Sequence, residues 1–243
     1  LAALPEMFCC PYQINGFPMY AEDSPSSPAR AFLSAAARER QCWIVGGSVP
    51  EKEQDALYNT SFVTAPDGAV AARHRKVHLF DVDIAEGPAV QESSILKPGT
   101  HGTTFDLGQW RIGVAICYDI RFPEFIQAYA DAGAHLLVLP AVFNSTTGKA
   151  HWRELLRMRA VDCQMYVAGI SPAATRGGSY EVWGHSVIAD PWGRVLAEAG
   201  PEEAILEAEL SLAVLQQVRS NMPLREHRRA SYPVRHWNAP GRS

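Results

Sequence analysis

Along RIGVAICYDIRFPE, residues 111–124, Ile112, Val114 and Ile116 alternate with small residues. This predicts a buried strand that runs into Cys117 and breaks at Asp119, ahead of a helix led by Phe122 and Pro123. Upstream, Ser27 and Pro28 open a predicted helix that ends near Gln41, with serine as N-cap, proline at the first helical position, and an apolar face made by Phe32, Leu33 and Ala36. Residues 42–49 (CWIVGGSV) read as an apolar strand and residues 58–65 as a second. The turn Pro66-Asp67-Gly68 leads into a third strand that ends at Lys76.

Residues 78–99 show no periodicity, the pattern of a binding loop, and Glu92 lies in it. Two strands around a turn at 106–109 lead to Cys117, and a helix at 123–132 is stopped by Gly133. A buried strand (HLLVL, 135–139) then stops at Pro140. Beyond it come a helix at 149–162, a strand at 164–170, a Gly-rich loop at 171–180 and a hairpin of 184–190 with 194–198 across Asp190-Pro191-Trp192-Gly193. A strand at 204–210 and a helix at 211–219 follow, and from Arg225 the tail is polar, basic and extended. Strand pairs alternating with helices predict an α/β architecture, two sheets of mixed order with helices outside them. No internal repeat is present.

At 243 residues with 47% hydrophobic content, the chain can bury one sizeable core, so a single domain over 1–243 is expected. A net charge of −4 with 20% charged residues leaves no basic field for nucleic acid or an anionic membrane, which points to a small-molecule partner. No apolar run approaches the roughly 20 residues that span a bilayer, and the opening LAALPE reads as the end of a strand rather than a signal peptide. Cys9, Cys10, Cys42, Cys117 and Cys163 are odd in number and lie at no disulfide or metal-ligand spacing, so a reducing cytoplasm fits.

Cys117 at a strand end before a helix is placed where backbone N–H groups can hold an oxyanion and a nearby positive charge or helix dipole can lower a thiol pKa. A buried structural cysteine is the alternative reading of the strand alone. Three further segments look built for chemistry: LPEMF with Glu6, RHRKVHLFD with Lys76, and QESSILKPG with Glu92. A zinc site of His74, His78 and His101 is a rival, with no HExxH or Cys/His ligand pair behind it.

Together with CYDIRFPE, these segments resemble the nitrilase superfamily of carbon–nitrogen hydrolases, in which a glutamate, a lysine and a cysteine form the catalytic triad and a second glutamate supports it. Within it the chain is most similar to Nit2-type ω-amidases, through LPEMFCCPY, YNTSFVTAPDG, RKVHLFDVD, FNSTTGKAHW, RAVDCQMYV, WGHSVIADPWG and EEAIL, which cover most of the chain. The resemblance implies a four-layer α-β-β-α sandwich that dimerises into an eight-layer body and needs no cofactor or metal. It also implies a first strand and helix ahead of Leu1, so an incomplete record is the expectation.

By the same resemblance Cys117 is the nucleophile, Glu6 the base, Lys76 the cation at the oxyanion and Glu92 the supporting carboxylate, with the Tyr118 N–H as second oxyanion donor. Asp119 and Arg121 are expected to brace the nucleophile turn. Where ω-amidases carry Ser-Pro-Ala-Arg this chain has Ala174, with Arg176 two positions later, and many relatives have Glu where Arg153 stands. Arg176, helped by the Tyr180 hydroxyl, is the expected partner of the far carboxylate of a dicarboxylic monoamide such as 2-oxoglutaramate or succinamate. A deaminated-glutathione-type or general aliphatic amidase and a catalytically silent dimeric binding module are the alternatives.

Overall fold

Successive residues of a strand face opposite sides, so a strand covered on both faces is apolar throughout, as LLVLP at Leu136–Pro140 is. The computed structural model describes residues 1–23, 27–85, 87–177, 180–229, 231 and 233. Its first six-stranded sheet contains β1 (Ala2–Ala3), β2 (Glu22–Asp23), β3 (Ile44–Val45), β4 (Val49–Glu53), β5 (Ala56–Thr64) and β6 (Val70–Arg75), in the order β1-β3-β5-β4-β2 with β6 also paired to β5. A separate pair, β7 (Asp81–Asp83) and β8 (Ala89–Gln91), follows. The second six-stranded sheet contains β9 (Thr103–Leu107), β10 (Trp110–Val114), β11 (Leu136–Pro140), β12 (Tyr166–Ile170), β13 (Val187–Ala189) and β14 (Val195–Glu198), neighbours in that sequence. The helices are α1 (Phe17–Tyr20), α2 (Pro28–Arg40), α3 (Pro123–Asp131), α4 (Ser145–Thr147), α5 (Arg153–Cys163), α6 (Leu212–Asn221) and α7 (Leu224–His227).

Side-chain alternation divides the residues of the two large sheets among three cores. Ile44, Val49 and Phe62 of the first sheet pack on Ala29, Leu33 and Ala37 of α2. Val45 and Val63, one residue over, turn the other way to meet Ile112, Val114, Leu136, Val138 and Tyr166 of the second sheet. On the far side of the second sheet, Leu137, Leu139 and Val167 cover Ile126 and Ala130 of α3 and Leu156 and Ala160 of α5. The layers are helix, sheet, sheet, helix, the sandwich expected.

Local chemistry sets the ends. Ser27 Oγ accepts from Arg30 N at 3.0 Å with Pro28 at the first helical position, and α2 stops at Gln41 in the left-handed region at φ 49°. The helix predicted at 149–162 is α only from Arg153. It begins as a wide π turn, Gly148–Trp152, and Trp152 Nε1 donates to His185 O at 2.6 Å.

Four expectations need correction. The strand predicted at 42–49 is two strands, because the chain breaks at Gly46 and Gly47. Gly47 has φ +56°, and a Cβ there would lie 2.1 Å from the Pro5 carbonyl oxygen, so only glycine lets the segment carrying Glu6 come so close. The aperiodic stretch at 78–99 holds the β7–β8 pair and a 3-10 turn, Glu92–Ser94, which are too short to produce a period. Residues 204–210 alternate like a strand but form none: among the described residues no neighbour supplies a ladder, and Ile205 is 91% exposed. The tail does not run extended from Arg225, which lies in α7. Residues 24–26, 86, 178, 179, 230, 232 and 234–243, parts of the predicted loops and tail, lie outside the described residues. Among the described residues no helix is long and apolar enough to cross a membrane.

Candidate active site

Four strand exits meet at one place. Glu6 follows β1, Lys76 follows β6, Cys117 follows β10 and Val142 follows β11. Glu6 sits on a turn held by Ser48, whose Oγ accepts from Met7 N at 3.0 Å and whose carbonyl accepts from Phe8 N at 3.2 Å, with Met7 at φ 51°. Glu6 Oε1 accepts from Lys76 Nζ at 2.9 Å and from Asn59 Nδ2 at 2.7 Å, and Oε2 accepts from Val142 N at 2.9 Å. Lys76 Nζ also donates to Glu92 Oε1 at 2.9 Å. Glu92 in turn accepts from the Tyr12 hydroxyl at 2.7 Å and from Phe80 N at 2.7 Å. Glu6, Lys76 and Glu92 are fully buried.

One ammonium thus lies between two carboxylates out of water. Burial raises the Glu6 carboxyl above its usual value despite the opposing pull of Lys76. Burial works to lower Lys76, but Glu6 and Glu92 outweigh it and hold the ammonium charged well above its usual range. Burial and the adjacent Glu6 push the Cys117 thiol well up, so at rest the sulfur keeps its proton. Moving that proton to Glu6 would leave the net charge of the cluster at one negative, with Lys76 still charged between Glu6 and Glu92.

Cys117 opens a 3-10 helix, Cys117–Arg121, and is held at φ +46° in the left-handed region, uncommon for a residue with a side chain. Its sulfur lies 3.9 Å from the Val142 carbonyl oxygen. The Tyr118 N–H is in the first turn of the same helix, where helical geometry offers no acceptor. Cys117, Tyr118, Arg121, Phe80, Val142, Phe143, Asn144, Thr147 and Tyr180 line a cavity of about 10 Å³, room for one water. Tyr180 donates to Val142 O at 2.8 Å, packs on Tyr12 with ring centroids 4.8 Å apart, and also borders an outer cavity of about 530 Å³. Burial raises both phenols well above their usual value, so each remains a hydroxyl donor.

The structure brings Glu6, Lys76, Glu92, Cys117, Tyr118 and Tyr180 together. It does not bring Arg176, which is exposed and absent from the cavity wall. The cation in that wall is Arg121. Its guanidinium lies over the Phe143 ring at 5.1 Å and the Tyr118 ring at 5.9 Å, with Nη1 3.2 Å from His151 Nδ1. Among the described residues no carboxylate pairs with it. Asp119 braces the nucleophile turn as expected, accepting from Ile116 N at 2.9 Å, whereas Arg121 faces the cavity. The proposed zinc ligands do not converge. His74 and His78 both turn to Asp119, while His101 lies 3.1 Å from Thr100 Oγ1 at the surface. Arg153, at the position where relatives carry Glu, pairs with Glu198 at 3.0 Å on the surface.

The model of the carbon-nitrogen hydrolase family matches residues 1–220. The chain belongs to that family. This carbon–nitrogen hydrolase is 48% identical to omega-amidase NIT2-A of Xenopus laevis, over 94% of the chain and 83% of the relative. It is 46% identical to omega-amidase NIT2 of Homo sapiens, over 95% and 83%. Among solved structures, Nit3 of Saccharomyces cerevisiae, a member of branch 10 of the nitrilase superfamily, superposes with a TM-score of 0.83 at 40% identity, over 91% of this chain and 80% of that one. XC1258 of Xanthomonas campestris, a CN-hydrolase superfamily protein, gives a TM-score of 0.84 at 26% identity, over 96% and 85%.

Tyr12, Asn59 and Thr147 are site residues that sequence reasoning misses, and Arg121 is one to which it gives a bracing role instead of a place in the cavity wall. Tyr12 and Asn59 stand inside LPEMFCCPY and YNTSFVTAPDG, and Thr147 inside FNSTTGKAHW, so the segments carried a signal that the individual positions did not.

Proposed function

We propose that this hydrolase is an ω-amidase, cleaving the carboxamide of a small dicarboxylic monoamide to carboxylate and ammonia through a thioester on Cys117. The buried Glu6–Lys76 pair beside Cys117 is the observation that carries the reading. In the first step Glu6 takes the thiol proton as sulfur bonds to the amide carbon, and the oxyanion lies against Lys76 Nζ and the Tyr118 N–H. The carbon–nitrogen bond then breaks, and Glu6 returns the proton to the leaving nitrogen, which departs as ammonia. Water attacks the thioester, giving its proton to Glu6. The carbon–sulfur bond breaks, Glu6 reprotonates the sulfur, and the acid is released. Glu92 holds Lys76 in place, and Tyr12 and Phe80 N hold Glu92.

A substrate carrying a second carboxylate needs a partner for it, since a buried unpaired charge costs several kcal/mol. Arg121 takes the role expected of Arg176. It shares the cavity wall with Cys117, and Thr147 lines the same wall. The similarity to Nit2 ω-amidases supports the same substrate class. A single-domain homodimer in a reducing cytoplasm completes the proposal, consistent with five free cysteines. Ammonia release from 2-oxoglutaramate, succinamate and propionamide, with Cys117→Ala as blank, tests it. Preference for the two charged amides is expected, and equal or better turnover of propionamide would assign a general aliphatic amidase instead.

A further inference from the structure

Lys76 has a histidine two residues to either side, His74 in β6 and His78 in the bend that follows it. Neither histidine joins the cluster around Lys76. Both reach Asp119, fully buried two residues beyond Cys117. Asp119 Oδ1 accepts from His78 twice, from its backbone N at 2.9 Å and its Nδ1 at 2.8 Å. A carboxylate only accepts, so His78 Nδ1 carries the hydrogen. Asp119 Oδ2 accepts from Ile116 N at 2.9 Å and has His74 Nε2 at 3.6 Å. His74 Nδ1 lies 3.3 Å from Thr103 Oγ1, whose hydrogen goes to Arg73 O at 3.1 Å. The His78 ring also stacks on Phe122, with centroids 3.7 Å apart and planes 12° from parallel, and Phe122 meets the edge of Tyr118 at 5.3 Å.

The Asp119 carboxylate ties these elements together: ahead of the cysteine it fixes Ile116, and from the segment after Lys76 it takes His78 Nδ1, while the His78 ring packs on Phe122 without a directional bond. A left-handed cysteine persists only where its surroundings over-determine it, and the segment after Lys76 supplies that constraint through His78. We infer that His78, through its Nδ1 bond to Asp119, is a positioning residue that registers the nucleophile turn against the segment carrying Lys76 and so sets the reach of the Cys117 sulfur toward the substrate carbonyl. The reacting atoms are untouched by His78, so its loss acts on the rate of attack rather than on binding. A carboxylate beside two histidines and two backbone N–H groups also stays charged at working pH, its pKa down at about 2 despite the burial that opposes this.

The His78 ring offers a bond and a stack, and two substitutions separate them. His78→Asn places an N–H where Nδ1 was and loses the stack, whereas His78→Phe keeps the stack and loses the bond. Both are read by kcat and KM on 2-oxoglutaramate and by the rate at which iodoacetamide alkylates Cys117, with circular dichroism to establish folding. Only the turnover readout rests on the ω-amidase proposal. Alkylation needs no amide, so it stands if that proposal fails. His78→Phe is expected to lose about 10- to 100-fold in kcat with KM within about threefold, the size of effect that small misplacements produce, and to slow alkylation in parallel. His78→Asn is expected to stay near wild type in both. The reverse ordering, equal losses in the two variants, or wild-type alkylation in His78→Phe would each overturn the inference.

Discussion

Val142 holds Glu6 with its amide and faces Cys117 with its carbonyl: N to Glu6 Oε2 is 2.9 Å, and O to Cys117 Sγ is 3.9 Å. Glu6 and Cys117 are therefore referenced to one residue at the exit of β11, and the carbonyl is further held by the Tyr180 hydroxyl at 2.8 Å.

The sulfur makes a long contact to that carbonyl and a hydrogen bond with the Glu6 carboxylate, and neither ties two elements that lack other links, so Cys117→Ala removes little that holds the fold. Stability is expected to change by less than about 1.5 kcal/mol, as for a small volume change in a core. Ammonia release should fall to the blank. Urea denaturation read beside an ammonia assay checks both, and retained turnover would remove Cys117 from the nucleophile role.

Lys76→Met is a different kind of change, because it leaves Glu6 and Glu92 buried without their shared cation. Breaking a buried ion pair from one side costs about 3 to 5 kcal/mol, and that loss should appear as a lower urea midpoint. Turnover should fall strongly with KM little changed, since the charge matters most once the oxyanion exists. Glu92→Gln keeps the Lys76–Glu6 contact and should lose less on both counts. A rise in KM alone for Lys76→Met would make the lysine a substrate-binding group.

Two carboxyls displaced in opposite directions give pH behaviour of opposite sign. Asp119, ordinarily at 3.8, is held at about 2, so its contribution is present above the unfolded value and is lost as pH falls toward 2. That gap is worth about 2 kcal/mol, to be seen as declining urea stability between about pH 5 and pH 2. Glu6, raised by burial above 4.5, favours the folded state when protonated, and this contribution is lost as pH rises through its folded value. As a base it must be ionised, so the acid limb of kcat/KM should lie above pH 4.5. A limb at or below 4.5 would exclude Glu6 as the titrating base.

Arg121→Ala should impair 2-oxoglutaramate and succinamate far more than propionamide, by about 2 to 5 kcal/mol in transition-state binding for a desolvated charge pair. Arg176→Ala, on the exposed loop, should leave all three within about twofold, the scale of a surface substitution of 0.5 kcal/mol or less. Parallel kcat/KM measurements decide between them. Equal losses across the panel for Arg121→Ala would detach it from the far carboxylate.

Glu6, Lys76 and Cys117 are each legible in the sequence as a residue at a strand exit inside a segment built for chemistry, but their convergence spans both sheets, β1 and β6 in the first and β10 in the second. The inward turn of a loop side chain is not legible in the same way. Tyr12 reaches Glu92 across 80 residues, and no local pattern encodes that contact. Arg121 and Arg176 both stand among small or aromatic neighbours in the sequence, and only the path of the backbone after Cys117 puts the first in the wall. Residues 204–210 show the converse, a period of two without a partner to make it a strand. The layer order was readable because adjacent residues such as Ile44 and Val45 serve opposite cores, so apolar runs had to be sheet interior.

Gly47 touches no reacting atom, yet a methyl group there would meet the Pro5 carbonyl oxygen, one residue before Glu6. In a saturation scan of this chain, position 47 should therefore behave like the reaction centre, intolerant even of alanine, while activity loss there would carry no chemical signature of its own. Functional maps drawn from mutational sensitivity would place a glycine inside the active site, and the vacancy left by its missing side chain is what belongs there.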